Sequence, residues 1–140
     1  MLPILNYIKT HFAVGEKIPY GLALIIGPTR ELCIQINEYF ERFRDAGLSD
    51  IKSLVLYGGI DAMKQVLEIA KKPNIIVATP GRILDHLQNT KGFHLNNLKY
   101  LVLDEADKLL NKDFEEQFNQ IISMIPQDRR AYLFSATLTS

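Results

Sequence analysis

A run of acidic residues closes an apolar stretch in the second half of the chain. Leu101-Val102-Leu103 leads directly into Asp104-Glu105-Ala106-Asp107. A buried strand that ends in carboxylates suits a site where Mg²⁺ and the phosphates of a nucleoside triphosphate are bound. Such a strand usually accompanies a glycine-rich phosphate loop that ends in Gly-Lys-Ser or Gly-Lys-Thr, and the 140 residues contain no such loop. The residues therefore predict one half of an ATP site.

The elements that would position these acids are short apolar runs that alternate with segments of helical period. Each run is nearly continuous in apolar residues, which is typical of strands buried on both faces of a parallel sheet. The alternation predicts an α/β fold built from βαβ units. The five predicted strands cover residues 22–26, 53–57, 74–78, 100–104 and 131–135.

Four segments with helical character lie between the predicted strands. One of them starts at Thr79-Pro80, where a cap is followed by proline at the first helical position. The other three carry apolar residues at helical spacing over residues 32–43, 63–70 and 114–125. Their predicted end signals are Gly47 after the first, Asp61 before the second, and Asp113 and Pro126 around the third.

Polar motifs follow all five predicted strands. Because the carboxyl ends of parallel strands meet at the edge where open α/β sheets bind ligands, these motifs are predicted to form one surface. Each motif by itself has a simpler interpretation, as a helix cap, a turn or an acid favoured by a helix dipole. Besides residues 104–107, the motifs are Pro28-Thr29-Arg30-Glu31-Leu32, Gly58-Gly59, Thr79-Pro80-Gly81-Arg82 and Ser135-Ala136-Thr137.

Composition indicates a globular protein of a reducing compartment. Sixteen basic residues balance sixteen acidic ones, so any contact with a nucleic acid must depend on a few well-placed groups. Cys33 is the single cysteine, which excludes an internal disulfide, and no apolar run approaches the ~20 residues that cross a bilayer. The start of the chain lacks the features of a secretion signal. An intracellular protein without a membrane segment is expected.

In order and spacing, the five motifs resemble those of the first RecA-like domain of DEAD-box ATP-dependent RNA helicases. The resemblance covers essentially the whole chain. It implies a doubly wound parallel sheet with helices on both faces, truncated so that the strand of the phosphate loop is missing. Residues 1–140 would then be a partial helicase ATP-binding domain, with the second RecA-like domain absent. Residues 86–132 look most like the branch of the family that serves ribosomal RNA processing.

The resemblance assigns the acidic motif to catalysis. Asp104 would bind Mg²⁺ through its hydration shell, and Glu105 would orient or deprotonate the attacking water. Asp107, one helical turn further on, would bond to Ser135 and Thr137 and couple the nucleotide state to domain closure. The alternative interpretation of Ser135 and Thr137 is that they merely terminate a strand.

The resemblance assigns three other motifs to the binding of single-stranded RNA through its sugar-phosphate backbone, without sequence specificity. Arg30 and Arg82 would supply positive charge, although an internal pair between Arg30 and Glu31 is an alternative. Arg82 lies in a first helical turn, where a cation gains nothing from the dipole, so an external anion is expected. The residues assigned to RNA are Pro28, Thr29, Arg30, Gly58, Gly59, Thr79, Pro80, Gly81 and Arg82.

Two classes of function follow from these observations. The first is part of an ATP-dependent RNA helicase that couples hydrolysis to local duplex separation or RNA–protein remodelling, with ATP, Mg²⁺, a second RecA-like domain and accessory proteins as partners. The second is an ATP-incompetent module that binds RNA or protein. A DNA helicase on the same fold is disfavoured by the Asp-Glu-Ala-Asp and Ser-Ala-Thr motifs. The nucleus or nucleolus is the expected location, with the cytoplasm as an alternative.

Two residues with reactive side chains are not assigned to a functional site. Cys33 is interpreted as a buried core thiol. His86 shares no metal-ligand spacing with His11, His94 or Cys33, and it is interpreted as a packing or surface residue.

Overall fold

A computed structural model describes residues 20–46, 51–98, 100–104 and 111–125, and the backbone of residues 132–136. Glu105, Asp107 and Thr137 of the predicted site lie outside the described residues, as do the predicted helix ends Gly47 and Pro126. No helix in the described ranges is long and apolar enough to cross a membrane.

Five parallel strands form the sheet, in the order β2-β3-β1-β4-β5. Every strand lies within one residue of its predicted range, and the predicted α/β class is confirmed. Strands β4 and β5 contain predicted site residues, β3 directly precedes one, and a single residue separates β1 and β2 from theirs. The strands are β1 (Ala23–Ile26), β2 (Ser53–Leu56), β3 (Ile75–Ala78), β4 (Tyr100–Asp104) and β5 (Tyr132–Ala136).

Four helices lie in the described part of the chain, and their capping residues explain where they begin. The helices are α1 (Arg30–Asp45), α2 (Ala62–Ile69), α3 (Pro80–Asn89) and α4 (Lys112–Ser123). Asp61 caps α2 as predicted, because its carboxylate accepts from the Met63 amide at 3.0 Å. The last helix begins at Lys112, next to Asp113 as predicted, and its cap is Asn111, whose side chain accepts from the Phe114 amide at 2.8 Å.

The helices cover both faces of the sheet, as a doubly wound fold requires. Successive side chains of a strand point to opposite faces, so Ile25 packs under α1 with Ile36 and Phe40, whereas Leu24 and Ile26 face the other three helices. All four residues of β1 and of β3 are buried. Their continuous apolar sequences follow from this two-sided burial. The core therefore anchors the loops that leave the carboxyl ends of these strands.

Helix α2 is oriented differently from what its apolar pattern suggests. Met63 and Leu67, two of the residues whose spacing predicted the helix, are 68% and 69% exposed. The buried residues are Gln65, at 5% exposure, and Ile69. The helix therefore turns a polar side chain into the protein, towards the loops after β2 and β3.

Candidate functional site

The loops after β1 and β2 meet at the carboxyl edge of the sheet. The guanidinium of Arg30, the first residue of α1, lies over the ring of Tyr57 at 5.3 Å from the ring centroid. Its Nη1 is 3.8 Å from where a Cβ of Gly59 would stand. The two ion pairs found within the described residues do not include Arg30, so the alternative pair with Glu31 is not formed. Arg30 instead makes a cation–π contact, worth about 0.5–1 kcal/mol at an exposed position.

The first turn of α3 reaches the same glycine pair from the other side. Arg82 places Nη2 3.9 Å from where a Cβ of Gly58 would stand, and its Nη1 is 3.5 Å from Oε1 of Gln65. Gly59 has φ of +87°, a conformation that favours glycine, and both glycines are exposed. The structure thus brings two arginines to either side of one exposed glycine turn.

The two threonines of this surface differ in how their hydroxyls are used. Thr29 caps α1, because its Oγ1 accepts from the Leu32 amide at 3.2 Å. Thr79 occupies the N-cap position of α3 with extended backbone, but its side chain makes no capping bond. Thr79 therefore occupies the predicted cap position, but its hydroxyl does not form the capping hydrogen bond.

Gln65 is a functional candidate that the sequence analysis missed. Its Nε2 donates to the carbonyl oxygen of Tyr57 at 3.0 Å, and its Oε1 lies 2.8 Å from Nε2 of His86. Nδ1 of His86 is 2.7 Å from Oγ1 of Thr90. His86 is buried, as the packing interpretation held, but it joins a polar network rather than an apolar cluster alone. The signal in the sequence was the spacing of Gln65 and Ile69, one helical turn apart on the face that is buried.

The polarity of this network is set by Arg82. A guanidinium can only donate, so the oxygen of the Gln65 amide must face Arg82 and its nitrogen must face the Tyr57 carbonyl. The same oxygen accepts from His86, which places the imidazole proton on Nε2. Nδ1 then accepts from the Thr90 hydroxyl. All four groups are satisfied with a neutral imidazole.

The protonation of His86 should therefore weaken the fold. Burial lowers the pKa of His86; Asp85 raises it and Arg82 lowers it, but burial dominates. Because the folded pKa lies below the usual value of about 6.5, this contribution to stability is complete above pH ~6.5 and is lost as the pH falls below it. We expect the melting temperature to fall more between pH 7.5 and pH 5.5 in the wild-type chain than in His86→Gln, as measured by thermal unfolding. Equal falls in the melting temperatures of the two proteins would contradict the assignment of a neutral His86.

The acidic strand ends next to the strand of the Ser-Ala-Thr motif. Asp104, the last residue of β4, is 0% exposed. In the parallel register of β4 and β5, Leu103 pairs with Ser135 and Asp104 pairs with Ala136. The structure therefore brings the ends of these two motifs together at the backbone level. The described residues contain no group of three or more acidic, histidine or cysteine side chains that could hold a metal on their own.

Cys33 lies behind this edge and is not a reactive thiol. Its Sγ is 3.8 Å from the carbonyl oxygen of Gly27. Burial is the largest cause that raises the pKa of the thiol to about 12, and the charge of Asp104 also raises it. The interpretation as a buried core residue is confirmed.

Sequence comparison agrees with this arrangement of motifs. A family model described as DEAD/DEAH box helicase matches residues 1–140. The chain belongs to this family. The resemblance seen in the sequence is therefore confirmed.

Several curated relatives share about half of their residues with this DEAD/DEAH box chain over the matched region. A human "Probable ATP-dependent RNA helicase DDX47" is 53% identical over 138 residues, which is 99% of this chain and 29% of the human protein. An Arabidopsis thaliana "DEAD-box ATP-dependent RNA helicase 10" is 55% identical over 121 residues, 86% of this chain and 26% of that protein. An Aspergillus oryzae "ATP-dependent rRNA helicase rrp3" is 50% identical over 139 residues, 99% of this chain and 28% of that protein. The chain spans under a third of the length of these relatives.

Proposed function

We propose that this chain is the part of an ATP-dependent RNA helicase that carries the acidic half of the ATP site and one half of the RNA-binding surface. The observation that supports the proposal is the meeting of the strand ends at one edge of the sheet. β1, β2 and β3 present the two arginines and the exposed glycine turn, and β4 and β5 present Asp104 beside the Ser-Ala-Thr strand. Ligands of open α/β sheets bind at this edge.

The RNA side would hold a phosphate backbone without reading bases. Arg30, Gly58, Gly59 and Gly81 are exposed, and Arg82 is half-buried, so the charges and backbone amides of the turn are accessible to a strand lying across it. Glycine permits close approach of an anion, and the start of α3 after Thr79 and Pro80 favours one. The Thr79 hydroxyl, unused in capping, is available to donate to a phosphate oxygen. Pro28 and Thr29 would position Arg30 at the start of α1.

The nucleotide side would depend on carboxylates at the end of β4. A single buried carboxylate fits Mg²⁺, which keeps most of its waters and takes one or two protein carboxylates together with phosphate oxygens. When bound, the ion neutralises charge that develops on the phosphates during transfer. Asp104 would accept a hydrogen bond from a water in the hydration shell of that ion, and Glu105 would orient the attacking water and take up its proton.

Coupling between the two sides is proposed for Asp107, Ser135 and Thr137. The parallel register places Ser135 and Ala136 beside the end of the acidic strand, so a carboxylate one helical turn beyond Asp104 would be within reach of them. A second RecA-like domain and accessory proteins would complete the helicase.

Ribosomal RNA is the proposed substrate, and the nucleolus or nucleus is the proposed location. The reason for both is that the Aspergillus oryzae relative is named as an rRNA helicase.

A chimera tests the proposal without assuming where the natural protein begins or ends. In it, this chain replaces the matching 138 residues of the human relative. We expect the chimera to hydrolyse ATP, and the rate to rise when single-stranded RNA is added. A folded chimera that binds neither ATP nor RNA, beside an active human parent, would refute the proposed function.

Replacing Arg82 with alanine in this chimera should weaken RNA binding without changing its sequence preference. The loss of one phosphate contact should lower the slope of log Kd against log salt by about 0.7 and should weaken binding to all sequences alike. The measurement is a salt titration with several single-stranded RNAs. Arg44→Ala is the matched control, because Arg44 lies on α1 at the far end of the helix and pairs with Asp45. A loss confined to particular bases would contradict the backbone contact.

A further inference from the structure

We infer that Gln65 is a positioning residue of the RNA-facing surface, which locks the turn after β2 to helix α3 and holds Arg82 beside that turn. The effect on RNA binding rests on the proposed function, whereas the positioning of Arg82 by Gln65 follows from the hydrogen bonds of the network. Gln65 touches no predicted ligand. It acts through Arg82 and through the backbone of Tyr57.

The network joins elements that are far apart in the chain. The amide of Gln65 contacts Tyr57, the residue after β2, eight positions before it. It also contacts Arg82 and His86, seventeen and twenty-one positions after it. Thr90, the C-cap of α3, closes the network through His86. The start of α3 carries Thr79, Gly81 and Arg82, so the same bonds that fix the helix also fix its RNA-facing first turn. Gln65 and His86 are 5% and 1% exposed, so water does not compete for these bonds.

Only a primary amide satisfies these partners together. The Tyr57 carbonyl needs a donor, whereas the Arg82 guanidinium and the Nε2–H of His86 need an acceptor. A carboxylate offers no donor, and an apolar side chain offers neither group. The choice also affects the charge available to RNA. A neutral amide oxygen at 3.5 Å orients Arg82 without neutralising it, so the full positive charge stays available for a phosphate.

Replacing Gln65 with glutamate in the chimera tests this inference, because it changes the charge and the donor while keeping the size of the side chain. The carboxylate should pair with Arg82 and withdraw its charge from RNA. We expect the Kd for single-stranded RNA to rise roughly five- to tenfold, the equivalent of one charge-assisted contact. The slope of log Kd against log salt should fall by about 0.7.

A second measurement reports on the network itself and does not require RNA. The glutamate would lie where Oε1 of Gln65 meets Nε2 of His86, so its negative charge should raise the pKa of His86 above that of a free histidine. The pKa is measured by NMR on histidine labelled at Cε1, with the signal assigned by His86→Gln. A substitution that merely loosened the helix would also raise the lowered pKa of His86, but only as far as that of a free histidine, about 6.5, and it would leave the salt slope unchanged.

Gln88→Glu is the matched control, because it makes the same change on an exposed residue of α3 whose side-chain partner is Gln120. It should leave the RNA affinity within about twofold of the wild type and should move the pKa of His86 much less than Gln65→Glu does. Wild-type affinity and salt slope in Gln65→Glu, or a pKa of His86 that does not rise above that of a free histidine, would overturn the inference. If the unmutated chimera bound no RNA, the proposed function would fail, while the pKa of His86 would still test the network.

Discussion

Replacing Glu105 with glutamine in the chimera should abolish ATP hydrolysis while leaving ATP binding largely intact. The amide keeps the shape of the carboxylate but cannot accept the proton of the attacking water, and general-base catalysis is typically worth about 10²- to 10⁴-fold. We therefore expect kcat to fall by at least ~100-fold with RNA present. The measurements are steady-state hydrolysis and equilibrium binding of a fluorescent ATP analogue.

Glu115→Gln provides the control for this prediction. Glu115 lies in the first turn of α4 and is exposed, so the same loss of one carboxylate should leave hydrolysis close to that of the unmutated chimera. Residual turnover in Glu105→Gln above about a tenth of the unmutated rate would show that another group accepts the proton. Loss of ATP binding together with hydrolysis would show that Glu105 supports the fold of the site rather than the reaction.

The 140-residue chain expressed by itself is expected to be much less stable than the same chain within a longer first domain. Among the described strands β5 pairs only with β4, which leaves its other edge without a strand partner in that part of the chain. Its residues Tyr132–Ala136 contain no charge and no proline, and an uncharged open edge is a template for self-association. In the helicase family the strand of the phosphate loop would lie beside it.

The test compares this chain alone with the chain preceded by the segment that precedes the match in the human relative. We expect the longer protein to be more stable by several kcal/mol, out of the roughly 5–15 kcal/mol that holds a domain folded. Thermal unfolding and sedimentation measure stability and association. The control is this chain preceded by a Gly/Ser segment of equal length, which separates the effect of the added sequence from the effect of added length. A short chain that stays monomeric and melts cooperatively at the same temperature would contradict the prediction.

The sequence by itself was enough to predict the sheet and the family. Strands buried on both faces must be apolar at nearly every position, so runs such as residues 75–78 are recognisable without any tertiary information. The caps at Thr29 and Asp61 were also readable, because capping is a local interaction over two or three residues. The strand-end motifs could be placed at one edge because parallel strands share a direction.

Only the tertiary structure decided how the polar groups at that edge contact one another. The stacking of Arg30 on Tyr57 and the bonds of Gln65 to Arg82 and His86 join residues that are 17 to 27 positions apart, and no local pattern encodes such pairings. The apolar spacing of α2 suggested that Met63 would be buried, whereas the fold exposes it and buries Gln65. The physical reason is that a buried amide with all its partners satisfied costs little, while the loops on either side of it require both a donor and an acceptor.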